Sequence, residues 1–332
     1  MARQTLTPFH SVLAPILVTL VAEKRGIGYH YAKEEREYQR FDQFCQERGH
    51  QTLTLPRTLV EQWTTKQGYE TVANQQRRVS RLRVLGQYMQ RQGYPAWVYP
   101  SHTSSHPSPH YVPYIFTREE LAAFFTQIDA CPLDSVSPWR HQVLPVLFRV
   151  LYGSGLRIGE ALALQRRDVD LTRGTLYIRH AKFDKERRIP VHPILVERVH
   201  QYLERLPQKA HPETPLFPGP QGGPYAISTV YALFRRFLWA AGISHGGRGH
   251  GPRLHDVRHS FAVHCLRQWV TAGIDLTVAL PYLSAYMGHT NLKSTQDYLR
   301  LTAECYPNIV CAVEHYLGAV IPQGGPIPDE TH

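Results

Sequence analysis

The sequence predicts a mainly α-helical chain of two domains, the second of which also carries a small antiparallel β-sheet. Apolar residues recur at helical spacing through most of the chain. Two short stretches between residues 174 and 192 alternate instead, as strands do, and a segment rich in Pro, Ser and His separates the two helical regions. The length of 332 residues fits about two domains of ordinary size.

The first predicted domain, residues 1–100, is helical throughout. Val12 to Ala22 is an apolar run of eleven residues. A bilayer span needs about 20 apolar residues, so we expect a packed first helix and no membrane segment. Residues 40–48 place two phenylalanines and a cysteine at i, i+3 and i+4, the spacing of one buried helix face. Two more helices are predicted, one ending near Trp63 and one from Thr71 to Gln92.

The helix predicted from Thr71 to Gln92 is strongly basic. Residues 1–113 contain 14 basic and 8 acidic residues, so +6 of the formal net charge of +10 lies in this third of the chain. Such a surface suits a polyanion, although a solvated charged face is the simpler alternative. The candidate polyanion-binding residues are Arg77, Arg78, Arg81 and Arg83.

The second predicted domain, residues 114–332, follows an extended linker at 101–113. It begins with a capping box, in which Thr117 precedes a helix and Glu120 lies three residues later. Further helices are predicted at 142–152, from 156 and from 194 onward. Strands are predicted at 174–180 and 187–192, with a charged turn between them.

Composition excludes several classes of site. The five cysteines form no CxxC pair, which argues against a disulfide framework or a zinc site and favours a reducing, cytoplasmic location. No glycine-rich phosphate loop is present, so nucleotide hydrolysis and hydride transfer lack support. A histidine series from His245 to His264 has no acidic or cysteine partners, so we expect neither a metal nor another cofactor.

Six residues with reactive or charged side chains lie in or close to short motifs that follow one another along the chain. Residues 155–162 read G-L-R-I-G-E-A-L, residues 254–259 read L-H-D-V-R-H, and residues 287–289 read M-G-H. A lysine lies in the charged turn, and a tyrosine follows the last histidine by nine residues. The six candidates are Arg157, Lys182, His255, Arg258, His289 and Tyr298.

This set resembles the tyrosine recombinases of the phage-integrase and Xer type. Their pattern is G-L-R-x-x-E-x-L, a hairpin lysine, L-H-x-x-R-H, L-G-H and a tyrosine nine residues later, and the likeness covers about residues 114–318. The turn reads A-K-F-D-K-E-R rather than the commoner G-K-G-x-K-x-R, so position favours Lys182 and leaves Lys185 open. Spacing likewise selects Tyr298 over Tyr286 and Tyr306.

The resemblance implies an enzyme that cuts and rejoins duplex DNA through a 3′-phosphotyrosyl intermediate, without metal or ATP. Two arginines and His289 would neutralise the phosphate, His255 would accept the proton of Tyr298, and Lys182 would protonate the leaving 5′-hydroxyl. Residues 1–100 would be a helical core-binding domain that contacts DNA through the basic helix, and residues 114–332 the catalytic domain.

Recombination by this family also implies a homotetramer assembled on DNA. Residues 303–317 would dock on a neighbouring protomer or pack on their own domain. A type IB topoisomerase shares the same chemistry and is one alternative, and a DNA-binding protein without catalysis is another. The presence of all six candidate residues argues against a DNA-binding protein without catalysis. Glu160 is interpreted as an orienting partner of Arg157 rather than as an acid catalyst.

Overall fold

A computed structural model describes residues 9–100, 112–179, 186–206, 211–244, 246, 251–289 and 298. The chain divides into two compact units, one ending at Tyr111 and the other beginning at Val112. The described residues form helices and one small antiparallel sheet, which confirms the predicted fold class. No helix among them is both long and apolar enough to cross a membrane. Most of the predicted linker lies outside the described residues.

The described part of the first unit contains four helices packed around one apolar core. Their bounds are α1 (Ala14–Gly26), α2 (Ala32–Glu47), α3 (Arg57–Thr64) and α4 (Val72–Arg91). The apolar run predicted as the first helix is buried through Leu17 and Leu20, and α2 contributes Phe41. Helix α4 begins where predicted because Thr71 Oγ1 accepts a hydrogen bond from Asn74 N at 3.3 Å.

The second unit combines helices with a sheet in the order β1-β2-β3, in which both neighbouring pairs are antiparallel. Leu176 lies opposite Ile189, and both side chains are buried in the core of this unit. The described elements are α5 (Arg118–Asp129), α6 (Arg140–Ser154), α7 (Ile158–Ala163), β1 (Val169–Asp170), β2 (Thr175–Ile178), β3 (Arg187–Pro190), α8 (Pro193–Arg205), α9 (Ile227–Ala240), α10 (Asp256–Thr271) and α11 (Leu276–Met287).

Several predicted boundaries can be compared directly. The capping box of α5 is present, since Thr117 Oγ1 accepts from Glu120 N at 3.1 Å and the Glu120 carboxylate accepts from Thr117 N at 2.9 Å. Both predicted strands are shorter than expected. Strand β1 was not predicted from the sequence, because two residues are too few to show an alternating pattern.

A glycine brings α6, α7 and α10 together. Helix α6 ends at Gly155, which adopts φ +57°. A Cβ at this position would overlap the ring of Phe261 on α10, so a larger residue would force the helices apart. The chain turns here directly into Arg157, which is the N-cap of α7 rather than a residue of its first turn as predicted.

Candidate active site

The candidate active site is built around the C-terminal end of α11. Gly288, with φ +67°, ends this helix, and its N–H group and that of His289 fold back to the carbonyls of the last turn. A helix end leaves carbonyl oxygens without helical donors, and its dipole attracts positive charge. The turn that carries His289 is therefore suited to hold cationic side chains.

Three arginines from three other elements donate to successive carbonyls of this turn. Arg187, Arg258 and Arg157 bond, in that order, to the carbonyl oxygens of residues 286, 287 and 288, at 2.9, 2.7 and 3.1 Å. Arg157 and Arg258 are the two predicted phosphate-binding arginines. The structure thus brings the G-L-R-I-G-E-A-L and L-H-D-V-R-H motifs against the M-G-H motif, which follows them by about 130 and 30 residues in the chain.

Glu160 on α7 links two of these arginines. Its buried carboxylate accepts from Arg157 Nη1 at 2.8 Å and from Arg187 Nη1 and Nη2 at 3.2 and 3.0 Å. Burial alone would raise the pKa of this carboxyl, but the hydrogen bonds and charge of Arg187, followed by those of Arg157, hold the pKa of Glu160 below its usual value. The carboxylate is ionised, and it can orient Arg157 as the sequence analysis expected.

Arg258 is the most enclosed of the three arginines. It is 2% exposed and donates a second hydrogen bond, from Nη1 to the carbonyl oxygen of Gly155 at 2.6 Å. Burial and the nearby charge of Arg157 lower the pKa of Arg258 to about 10, so the guanidinium stays protonated at neutral pH. Two backbone carbonyls therefore fix the direction of this side chain.

Tyr298 lies beside two histidine rings in a small apolar cluster. It is only 3% exposed, and its ring centroid lies 5.3 Å from that of His259 and 5.8 Å from that of His289. The ring of His259 also contacts His255, at a centroid distance of 4.8 Å. His259 was not predicted as a catalytic residue, although the last letter of the quoted L-H-D-V-R-H motif was the available signal.

The histidines of the site are neutral at neutral pH. Loss of hydration and the positive charges of Arg258 and Arg157 lower the pKa of both His255 and His289 to about 4. Burial and the neighbouring His255 lower the pKa of His259 to about 3. Each ring therefore has a nitrogen lone pair with which it can accept a proton or a hydrogen bond.

The described residues include five of the six predicted catalytic candidates, and these five lie together. Lys182 and its alternative Lys185 lie outside the described residues, as does Tyr306. Tyr286, the other alternative nucleophile, donates its hydroxyl to the Pro190 carbonyl at 2.9 Å and stacks on Phe261. Within the described part of the chain, no three His, Cys, Asp or Glu side chains are placed to hold a metal ion.

Arg187 is a residue of the site that the sequence analysis did not select. It was visible as the last letter of A-K-F-D-K-E-R, five residues after Lys182. Nothing in its spacing from Glu160, 27 residues earlier, indicates an ion pair. Only the folding of β3 against α7 and α11 shows that the two side chains meet.

In the first unit, the four arginines predicted to contact DNA differ in their surroundings. Arg77 is exposed. Arg78 and Arg81 form ion pairs with glutamates, and Arg83 donates to two backbone carbonyls at 2.9 Å. Of these four side chains, Arg77 is thus the one most open to an external anion.

A cationic groove of about 540 Å³ lies between α2 and α4, and we call it the α2–α4 groove. Its wall on α2 carries Lys33, Arg36 and Arg40, all exposed, while Arg77 lines the wall on α4. These three residues of α2 were not among the DNA-binding residues predicted from the sequence. Their i, i+3, i+7 spacing was the available signal, since it places them on one helix face.

Comparison with known proteins identifies the family. Residues 116–304, more than half of the chain, match the profile of the phage integrase family. The chain belongs to the phage integrase family. The resemblance predicted from the sequence is thereby confirmed, and the matched range contains all the motifs that carried it.

Relatives of this family member include named recombinases. A Sinorhizobium fredii chain with the provisional name integrase/recombinase y4rB is 29% identical over 283 residues, which cover 83% of this chain and 88% of that one. Tyrosine recombinase XerA of Thermococcus kodakarensis is 31% identical over 198 residues, covering 59% of this chain and 61% of the relative. Tyrosine recombinase XerC of Nitrobacter winogradskyi is 33% identical over 168 residues, covering 50% and 48%.

Solved structures share the fold at lower identity. XerH site-specific recombinase bound to a palindromic difH substrate matches with a TM-score of 0.61 and 19% identity over 90% of this chain and 84% of XerH. The Tn1549 transposon integrase in complex with transposon right end DNA gives a TM-score of 0.60 and 16% identity, over 91% and 99% of the two chains. These likenesses support the fold assignment.

Proposed function

We propose that this phage integrase family member cuts and rejoins duplex DNA at a specific site, through a covalent bond between Tyr298 and a 3′-phosphate. The observation that carries the proposal is the convergence of Arg157, Arg258 and His289 on one turn, with Tyr298 beside it. The Tn1549 integrase, which shares the fold, is solved in complex with transposon right end DNA, and XerH with a palindromic difH substrate, which supports DNA as the substrate.

The two arginines supply electrostatic stabilisation. Each guanidinium has five N–H donors. Arg157 uses two in the contacts with Glu160 and the 288 carbonyl, and Arg258 uses two on carbonyls. The remaining donors are available for the nonbridging oxygens of a phosphodiester, where negative charge grows as the tyrosine attacks.

The reaction is a transesterification. Tyr298 Oη bonds to the phosphorus while the bond from phosphorus to the 5′-oxygen breaks and its electron pair leaves with that oxygen. The phenolic proton passes to a neutral histidine, which we assign to His255 as the family pattern implies. Lys182 protonates the departing 5′-oxygen. Because the phosphoester is exchanged rather than hydrolysed, a 5′-hydroxyl can reverse the step without ATP.

The α2–α4 groove extends the proposal to DNA binding by the first unit. Exposed cations there would contact phosphates and supply affinity that falls with salt. We further propose a homotetramer on DNA, because exchange between two duplexes needs four cleavages. A solved relative of similar fold, λ integrase, is a tetramer bound to a Holliday junction.

Covalent capture tests this function. A randomised library of nicked duplexes would be incubated with the wild-type chain and with Tyr298→Phe, and denatured gels would show any protein–DNA adduct. We expect an adduct with the wild type alone. Absence of an adduct with every duplex would show that the chain is only a DNA-binding protein.

A second experiment with the captured duplex distinguishes a recombinase from a topoisomerase. A recombinase joins two DNA molecules that carry the site, whereas a topoisomerase only relaxes supercoiled DNA. Joining is the expected result.

A further inference from the structure

Arg187 is partly buried at the centre of the candidate site, yet it is not one of the residues assigned to bind the phosphate. Its side chain is 13% exposed and makes three described polar contacts, two to Glu160 and one to the Tyr286 carbonyl. All three nitrogens of this guanidinium donate to protein acceptors. Its effect on the reaction must therefore pass through the groups that it holds.

Arg187 supplies part of the positive charge that neutralises the Glu160 carboxylate. The Glu160 side chain is 6% exposed, and Arg157 and Arg187 are the arginines bonded to it. Losing one partner of a buried carboxylate is costly, because its desolvation is no longer compensated. With Arg187 absent, the whole negative charge would act on Arg157 and draw that guanidinium away from the position where a phosphate could accept from it.

Arg187 also holds the turn of His289. Its Nε bonds the carbonyl oxygen of residue 286, the first of the three carbonyls that the arginines share. The close approach depends on Gly288, because a Cβ there would lie 2.7 Å from Arg187 Nη1. The guanidinium thus packs directly against the turn that Arg157 and Arg258 also contact.

We propose that Arg187 is a positioning residue for DNA cleavage, which aims Arg157 at the scissile phosphate by holding Glu160 and the turn at the end of α11. The inference rests on the proposed function. It makes β3 a structural part of the site, and Lys182 lies five residues before the start of β3 in the sequence.

Single-turnover cleavage of the nicked duplex captured by the wild-type chain tests this role. Arg187→Ala should slow adduct formation roughly ten- to a hundredfold, as removal of the outer partner of a reactive group typically does. The Kd for the same duplex and the final adduct amplitude should not change. Arg188→Ala is the matched control, since this neighbour on β3 is exposed and lies over Tyr177.

A double-mutant cycle shows whether Arg187 acts through Glu160. Adding Arg187→Ala to Glu160→Gln should slow the reaction less than Arg187→Ala slows the wild type, because one of the two groups through which Arg187 acts has already lost its charge. Additive effects would contradict the proposal. Arg187→Lys, which keeps the charge without the paired donors, should fold and show a smaller loss in rate than the alanine variant.

Other outcomes separate positioning from folding. A merely structural role would lower the unfolding temperature and the adduct amplitude while leaving the rate constant unchanged, and that result would overturn the proposal. A wild-type adduct with equal rates for Arg187→Ala and Arg188→Ala would also overturn it, leaving the proposed function intact. Failure of the wild-type chain to form any adduct would contradict both.

Discussion

The ring of Tyr298 lies nearly parallel to that of His289, with centroids 5.8 Å apart and planes inclined by 18°. Tyr298 is held in place by ring contacts and by an apolar cluster that includes Leu266, Leu283 and Met287. Since the phenyl ring supplies these contacts, removal of the hydroxyl should leave the packing almost unchanged. The hydroxyl can therefore be tested separately from the ring.

Tyr298→Phe should abolish the covalent adduct while the variant still binds DNA, because no other group can form the phosphotyrosyl bond. Mass spectrometry of the wild-type adduct should locate the nucleotide on the peptide containing Asp297, Tyr298 and Leu299. Tyr286→Phe is the matched control. It loses one hydrogen bond, worth about 1 kcal/mol of stability, and should still form the adduct. An adduct that persists in Tyr298→Phe would falsify the assignment.

Arg157→Ala should slow cleavage about a hundredfold or more with little change in DNA affinity, since it removes a charge-assisted contact made in the transition state. Rates would be measured in single turnover at saturating protein, and affinity by titration of labelled duplex. Arg173→Ala is a suitable control, because this arginine is 71% exposed and its described ion pair, with Asp170, is a long one of 4.0 Å. A large loss of affinity in Arg157→Ala would assign the residue to binding rather than catalysis.

Arg258→Ala should also slow cleavage, and it should lower stability more than Arg157→Ala, which leaves Glu160 paired with Arg187. Arg258 is 2% exposed and serves two backbone carbonyls, which would be left without their donor. An unsatisfied buried polar group costs about 1–3 kcal/mol. Chemical unfolding of the two variants side by side provides the comparison. Equal stability of both would contradict the different burial of the two arginines.

Salt dependence should identify the DNA-facing surface of the first unit. Replacing both Arg40 and Arg77 by Ala should weaken binding and flatten the slope of log K against log salt by about two units, roughly 0.9 per lost phosphate contact. Arg91→Ala is the control on α4, the helix that also carries Arg77. Arg91 is exposed, is paired with Glu23 and does not line the α2–α4 groove. Equal slopes for the wild type and the double variant would exclude this groove as a phosphate site.

The sequence predicted most helices because their signals are local. Helix α5 has its capping box within four residues, and the cap of α4 is Thr71 itself. The order and spacing of the motifs were likewise sufficient to predict the family. These features depend on neighbours in the chain, which a single sequence displays directly.

The partnerships inside the site could not be predicted in this way. The pairing of Arg187 with Glu160, and the sharing of one helix end by three arginines, depend on where β3 and α10 pack. The contacts of the basic residues of α4 could not be predicted from the sequence either. Their sequence suggests one binding surface, but Arg81 is paired with Glu34, 47 residues earlier, and only the fold brings that acid beside it.

Acid should destabilise the chain through its partly buried histidines. The pKa of His259 is about 3 and that of His289 about 4 in the folded chain, against about 6.5 when unfolded. Between these values the unfolded state binds more protons, so the free energy of unfolding falls as the pH drops below about 6.5 and continues to fall towards the folded pKa. Above that window both states are neutral, and these groups contribute no pH dependence.

His259→Gln provides the test, because glutamine does not titrate. Denaturant unfolding of the wild type and the variant would be measured at several values between about pH 7 and pH 4.5. The free energy of unfolding of the variant should fall less steeply with decreasing pH. The missing proton of His259 removes up to about 1.4 kcal/mol per pH unit from that slope. It should therefore gain stability relative to the wild type as the pH falls, whatever its stability at pH 7. Parallel curves for the two proteins across this window would show that His259 binds its proton equally in both states.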